Sequence, residues 1–136
     1  MIELTIMGEP LPQTRPRYDG RGKFVRVYYA DKFLDYRKSV ATQAAKQYEG
    51  DPLCGPLRID VTIFRPMQKS GSKVVHAKKL SGLIRPVEKG DVDNYFKSVT
   101  DPLTGLIWVD DAQIVEAHIS KFYSTDPRVE IKVEEI

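Results

Sequence analysis

Two periods of polarity divide this chain. Period-two alternation marks four segments. Ile2, Leu4 and Ile6 alternate with polar neighbours up to Met7. Leu57–Phe64 puts Leu57, Ile59, Val61 and Ile63 on one face and Arg58, Asp60 and Thr62 on the other. Gln113–Tyr123 and Val129–Glu135 alternate as well, across a gap holding the turn pair Asp126-Pro127. Helical spacing appears twice. Phe33, Tyr36, Val40, Ala44 and Tyr48 form a stripe behind Asp31, which reads as an N-cap, and Gly50, Asp51 and Pro52 stop it. A second helix opens at Asp91 and runs to about Leu103, with Val92, Tyr95, Phe96, Val99 and Leu103 on its apolar face. Asp19-Gly20, flanked by β-favouring residues, predicts a hairpin or ordered loop. Residues 65–90 show no sustained period and read as a long loop. These elements give an α+β fold, a mixed or antiparallel sheet packed with two helices. Residues 1–136 form one domain, large enough to bury a core unaided.

Composition narrows the chemistry. No apolar run reaches the roughly 20 residues of a membrane span. Acidic Glu3 stands where a secretion signal carries basic residues, so a cytoplasmic location is expected. Cys54, His76 and His118 are too few for a tetrahedral zinc site, so any metal here is a hard ion held by oxygen. Cys54 itself reads as a small apolar packer.

Charge is unevenly spread behind a net +2. Arg15, Arg17, Arg21, Lys23 and Arg26 face one acid, Asp19. Arg65, Lys69, Lys73, Lys78, Lys79, Arg85 and Lys89 face only Glu88, whereas the stretch from Asp101 onward is acidic. A basic front and acidic back suit a polyanion that must be positioned, although solvated loops account for the same blocks.

The candidate chemistry lies in Asp91-Val92-Asp93-Asn94-Tyr95-Phe96-Lys97 and Trp108-Val109-Asp110-Asp111-Ala112-Gln113. Asp93, Asn94, Lys97, Thr100 and Asp101 share about a third of a helix circumference, with Asp93 and Lys97 one turn apart. A short apolar segment is expected to return Asp110 and Asp111 to the helix start. Carboxylates that converge repel unless a cation or proton intervenes, and Mg²⁺ suits an all-oxygen set completed by phosphate and water. Each piece has a plainer reading: helix capping for Asp91 and Asp93, a surface ion pair for Asp93–Lys97, a turn for Asp110-Asp111.

The string Asp91-x-Asp93-Asn94, then Lys97, then Trp108-x-Asp110-Asp111-x-Gln113, resembles the RusA family of Holliday-junction resolvases, small bacterial and phage endodeoxyribonucleases. The resemblance is densest over residues 88–116. It implies a Mg²⁺-dependent homodimer (Mn²⁺ substituting) that binds four-way junction DNA and makes paired, symmetric nicks. It implies Asp91, Asp93 and Asp111 as metal-binding catalytic carboxylates, Lys97 as the essential lysine, and Asp110 and Asp101 in support. DNA contacts are expected from Arg15, Arg17, Arg21, Lys23, Arg26, Lys69, Lys73, Lys78, Lys79 and Lys89. One departure is Thr100, where the family pattern has an aromatic before the acid. Alternatives are a non-catalytic nucleic-acid-binding module, a metal-dependent nuclease of another substrate class, and a partner-binding protein using the acidic C-terminal strands.

Overall fold

The computed structural model describes every residue except 15, 23–25, 29 and 89, and for residues 17, 19 and 26–28 the backbone. Strands β1 (Ile2–Met7), β4 (Leu57–Pro66), β5 (Ile114–Ser124) and β6 (Arg128–Glu135) form one sheet, ordered β1-β6-β4-β5. β6 runs antiparallel to both β1 and β4, and β4 pairs parallel with β5, so the sheet is mixed. A parallel pair needs a long crossover, and the chain between β4 and β5 supplies it. The candidate site lies on that crossover.

The alternating segments fold as their pattern demands. Leu57, Ile59, Val61 and Ile63 of β4 are buried, as are Val129, Ile131 and Val133 of β6 and Leu4 and Ile6 of β1. The opposite face carries Arg58 between Glu116 and Glu134, at 2.6 and 3.4 Å, and His118 beside Asp60 at 3.6 Å. These exposed pairs add little stability. The core side is covered by α1 (Asp31–Gln47), whose Phe33, Tyr36, Val40 and Ala44 are buried, and by α3 (Val92–Thr100).

α1 also closes the free edge of β1. Gln43 and Gln47, one helical turn apart, each accept from and donate to a strand residue: Gln43 with Met7 at 2.8 and 3.0 Å, Gln47 with Thr5 at 2.8 Å both ways. Two side-chain amides thus occupy the backbone groups that an exposed edge would offer to another chain.

Three expectations need correction. Asp31 is the first helical residue of α1 rather than its cap; Ala30 holds the N-cap position without a side-chain bond, and Asp31 complements the helix dipole instead. Residues 65–90 contain a third helix, α2 (Lys73–Leu80), capped by Ser72 Oγ, which accepts from the Val75 N–H at 3.2 Å. Cys54 is exposed, its thiol 3.7 Å from the Pro52 carbonyl, so it packs no core. The basic segment near the N-terminus does form a hairpin, β2 (Arg17–Asp19) against β3 (Arg26–Tyr28), and Tyr18 on it is exposed.

Candidate active site

The start of α3 is fixed by its neighbours. Gly90 has φ +123°, and a Cβ there would come within 2.5 Å of the Tyr95 ring. Glycine is therefore required on both counts: the backbone is left-handed and the ring occupies the side-chain space. Lys121 Nζ donates to the Gly90 carbonyl at 3.0 Å, tying this bend to β5. Asp91 follows at the N-cap position, φ −69° and ψ 150°, but its side chain makes no capping bond. Asp91 and Asp93 are both exposed.

Farther along α3, the expected apolar face is partly rearranged. Tyr95 and Val99 are buried, but Val92 is 42% exposed, and Ser98 and Thr100 are buried instead. Their hydroxyls donate to the carbonyls of Tyr95 and Phe96, both at 2.8 Å, so neither is orphaned. A single 3₁₀ turn, Asp101–Leu103, ends the helix.

The second carboxylate group sits on a separate, rigid support. Fully buried Trp108 donates from Nε1 to Thr104 Oγ1 at 3.1 Å. The backbone around it pairs with Leu53: Leu53 N–H to Ile107 O at 2.8 Å, Val109 N–H to Leu53 O at 3.2 Å. Asp110 then caps a short 3₁₀ turn. Its Oδ1 accepts from the Ala112 N–H at 3.0 Å, while Gln113 Oε1 accepts from the Asp110 N–H at 2.7 Å. This is a reciprocal capping box. Gln113 Nε2 donates onward to the carbonyls of Leu53 and Gly55, at 2.9 and 3.0 Å. Beyond its place in the family string, Gln113 belongs to an Asp-x-x-Gln capping signature.

Asp110 and Asp111 share a hydrogen bond and split in acidity. The Ala112 N–H, then the bond from Asp111, hold the Asp110 carboxyl below its usual range. The bond to Asp110, partial desolvation and the charges of Asp110 and Asp101 push Asp111 above it. The two carboxyls repel when both are ionised, and a cation between them would relieve that repulsion.

The structure brings some predicted residues together and leaves others apart. Asp101 and Asp110 both lie within electrostatic reach of Asp111. Asp93 stands about 12 Å farther up the α3 axis from Asp101. Among the described residues, no three His, Cys, Asp or Glu side chains converge to hold a metal. The donors do fit Mg²⁺ in kind: they are exposed carboxylates, all oxygen. Exposed Lys97 lies between Asp93 and Asp101 in sequence and forms no ion pair with Asp93 among the described residues. It lines a cleft of about 310 Å³ with Gln13, Thr14, Pro16 and Asn94. The Gln13 N–H donates to the Asn94 carbonyl at 2.9 Å, tying the N-terminal segment to α3. Nothing in the sequence signalled Gln13.

The basic residues divide by what is described. Arg15, Lys23 and Lys89 lie outside the described residues, and for Arg17 and Arg26 only the backbone is described. Arg21 is exposed near the hairpin tip, and Lys69 is exposed after β4. Lys73, Lys78 and Lys79 project from α2, which buries none of its residues. The Lys79 ammonium lies 4.8 Å from the Tyr123 ring centre. Tyr123 donates to Glu88 at 2.6 Å. Burial and that carboxylate raise the phenol to about 12, and the bond from Tyr123 holds Glu88 below its usual range. Arg85 stacks 3.5 Å from the Phe122 ring centre, and its guanidinium donates to Lys121 O at 3.1 Å. These contacts fasten the arm that carries α2 to the end of β5.

The sequence profile of a family described as endodeoxyribonuclease RusA matches residues 7–134, nearly the whole chain. An uncharacterized protein of Bacillus subtilis strain 168, YqaN, is 42% identical over 137 residues, covering 99% of this chain and 96% of that one.

Proposed function

The chain belongs to the RusA endodeoxyribonuclease family, a family of Holliday-junction-resolving endonucleases, and from that premise we propose that it resolves four-way DNA junctions by paired, symmetric, Mg²⁺-dependent nicks. The observation that carries this reading is Asp91. It stands at an N-cap, exposed and without a capping bond, and leads into Asp93 and Lys97 on the same helix. Among the described residues its carboxylate makes no capping bond, which leaves its oxygens available to a ligand.

In this reading Asp91, Asp93 and Asp111, supported by Asp110, would hold the cation, with Mn²⁺ able to substitute. When bound, Mg²⁺ polarises the scissile phosphate and lowers the pKa of an attacking water. The chain's own residues do the rest. Asp110 fixes the orientation of its neighbour through the capping box, so Asp111 is presented from a rigid turn. Lys97 places its ammonium against charge developing on the phosphate or leaving oxygen. The Asn94–Gln13 backbone bond keeps the cleft beside Lys97 open to the strand. The arm lysines and the basic hairpin supply sequence-independent phosphate contacts, while junction shape supplies selectivity.

Two cuts on strands of like polarity call for two sites related by a two-fold, so the working form is a homodimer. A bacterial or phage-infected cytoplasm fits a DNA-acting enzyme, and no helix among the described residues is long and apolar enough to cross a membrane. The test is a denaturing gel of a mobile four-way junction beside a linear duplex of the same arms, each in Mg²⁺ and in EDTA. Symmetric nicks in the junction alone, in Mg²⁺ alone, support the reading. Equal cutting of the linear duplex favours a nuclease of another substrate class.

A further inference from the structure

The arm that carries α2 is unusual in what it exposes. α2 buries no residue at all, and its Val74 and Leu80 are 64% and 51% exposed. Beyond it, Leu83 is 77% and Val87 91% exposed. A helix of eight residues with no buried face has little to hold it in water, because helices of that length draw their stability from packing.

The turn after α2 is nevertheless well defined. Gly82 has φ +85°, and its N–H donates to Lys79 O at 3.3 Å. The Leu83 N–H donates to Lys78 O at 3.0 Å. Together these are the two bonds of a Schellman motif, with Gly82 at C′ and Leu83 at C″. An apolar residue at C″ ordinarily folds back onto the last turn of its helix. Leu83 does not: the residue at C3, where it would pack, is Lys78, and its side chain stands in solvent. The base of the turn is held by Arg85, which bonds Gly82 O at 3.2 Å and Lys121 O at 3.1 Å and stacks on Phe122. This mount thus presents Leu83, the most exposed leucine among the described residues.

The surroundings say what it meets. Between Pro66 and Val87 there is no acidic residue, whereas Lys69, Lys73, Lys78, Lys79 and Arg85 all lie there. That charge with no acid among it suits a phosphate backbone, and the family match to endodeoxyribonucleases points to DNA as the polyanion. Apolar side chains set among phosphate-binding cations are the means by which proteins unstack a base step.

We propose that Leu83 is an apolar wedge that enters the base stack beside the branch point of the junction, while the lysines of α2 hold the flanking phosphates. This rests on the junction-binding reading above and adds to it a residue that distorts the DNA. It gives the exposed leucine a partner and leaves the sheet and the carboxylates untouched.

The test uses the whole protein in EDTA, with a four-way junction carrying 2-aminopurine next to the branch point. Anisotropy reports binding, and 2-aminopurine fluorescence reports unstacking, so the two are read separately. Wild type is expected to bind and raise the fluorescence. Leu83→Ser is expected to bind the junction and lose the rise, and Leu83→Met to restore it. Leu83 is exposed, so neither change perturbs the core. An undiminished rise with Leu83→Ser overturns the proposal, as does a wild type that binds with no rise. A wild type that fails to bind the junction at all overturns the functional reading together with the wedge.

Discussion

Asp91 and Asp110 occupy equivalent positions in their local structures. Each precedes a helical turn with an extended backbone, and each is exposed. Asp110 uses its carboxylate to cap, accepting from Ala112, and Gln113 returns the bond. Asp91 has the same opportunity and leaves it unused. The helix it opens is held in place by other means: the Tyr95 N–H bonded to Asp91 O, the Gly90 bend and Lys121. One aspartate is committed to the cap, and the other makes no capping bond among the described residues. The residue type at a cap is thus a poor guide to its role; the bond it makes, or omits, decides.

The comparison breaks most sharply in cleavage. Asp93→Asn and Asp111→Asn are each expected to lower junction cleavage at least about a hundredfold, since metal-binding carboxylates have no amide substitute. Both sites are exposed, so thermal midpoints should stay within about 3 °C of wild type. Single-turnover assays beside thermal melts check both halves. Wild-type rates would remove the residue from the site.

Lys97→Ala should reduce the cleavage rate about tenfold to a hundredfold with a smaller loss of binding. Parallel kinetics and anisotropy distinguish this from a simple phosphate contact, for which both fall together.

Asp110→Ala should lower stability measurably through the lost cap, and Asp91→Ala much less. Urea titrations of the two variants read the difference directly. Equal losses would mean that Asp91 serves the fold after all.

The smallest effect is in pH. Asp111 must ionise to serve the site, and its carboxyl is raised, first by the bond to Asp110. Cleavage should therefore rise with pH through a limb above the ordinary carboxylate range. Asp110→Ala, or more Mg²⁺, should move that limb to lower pH. For stability the two shifts oppose. The raised Asp111 contributes below its unfolded value and loses that contribution as pH climbs through the folded one. The lowered Asp110 contributes above its unfolded value and loses it as pH falls through the folded one.

Most of the sheet was legible because one face is buried and the other wet, which forces period two in β1, β4 and β6. The stripe of α1 was legible for the same reason. α2 was not, because it buries nothing and so carries no stripe; its only local signal is the Ser72 cap. The spacing of Asp93, Lys97 and Asp101 follows from helical geometry alone. The placement of Asp110 and Asp111 does not, because Leu53 pins the preceding segment from far along the chain. The shift of Ser98 and Thr100 into the interior was hidden by their polarity, which their carbonyl bonds satisfy.

The central claim is that the Asp91 carboxylate, which makes no capping bond, serves the cleavage site. The most direct measurement is Asp91→Asn, since asparagine caps as well as aspartate and preserves the backbone. Junction affinity and cleavage are measured on the same Mg²⁺-containing samples. The account predicts binding as tight as wild type or tighter, because repulsion from phosphate falls, with no nicks. Cleavage at the wild-type rate would contradict it.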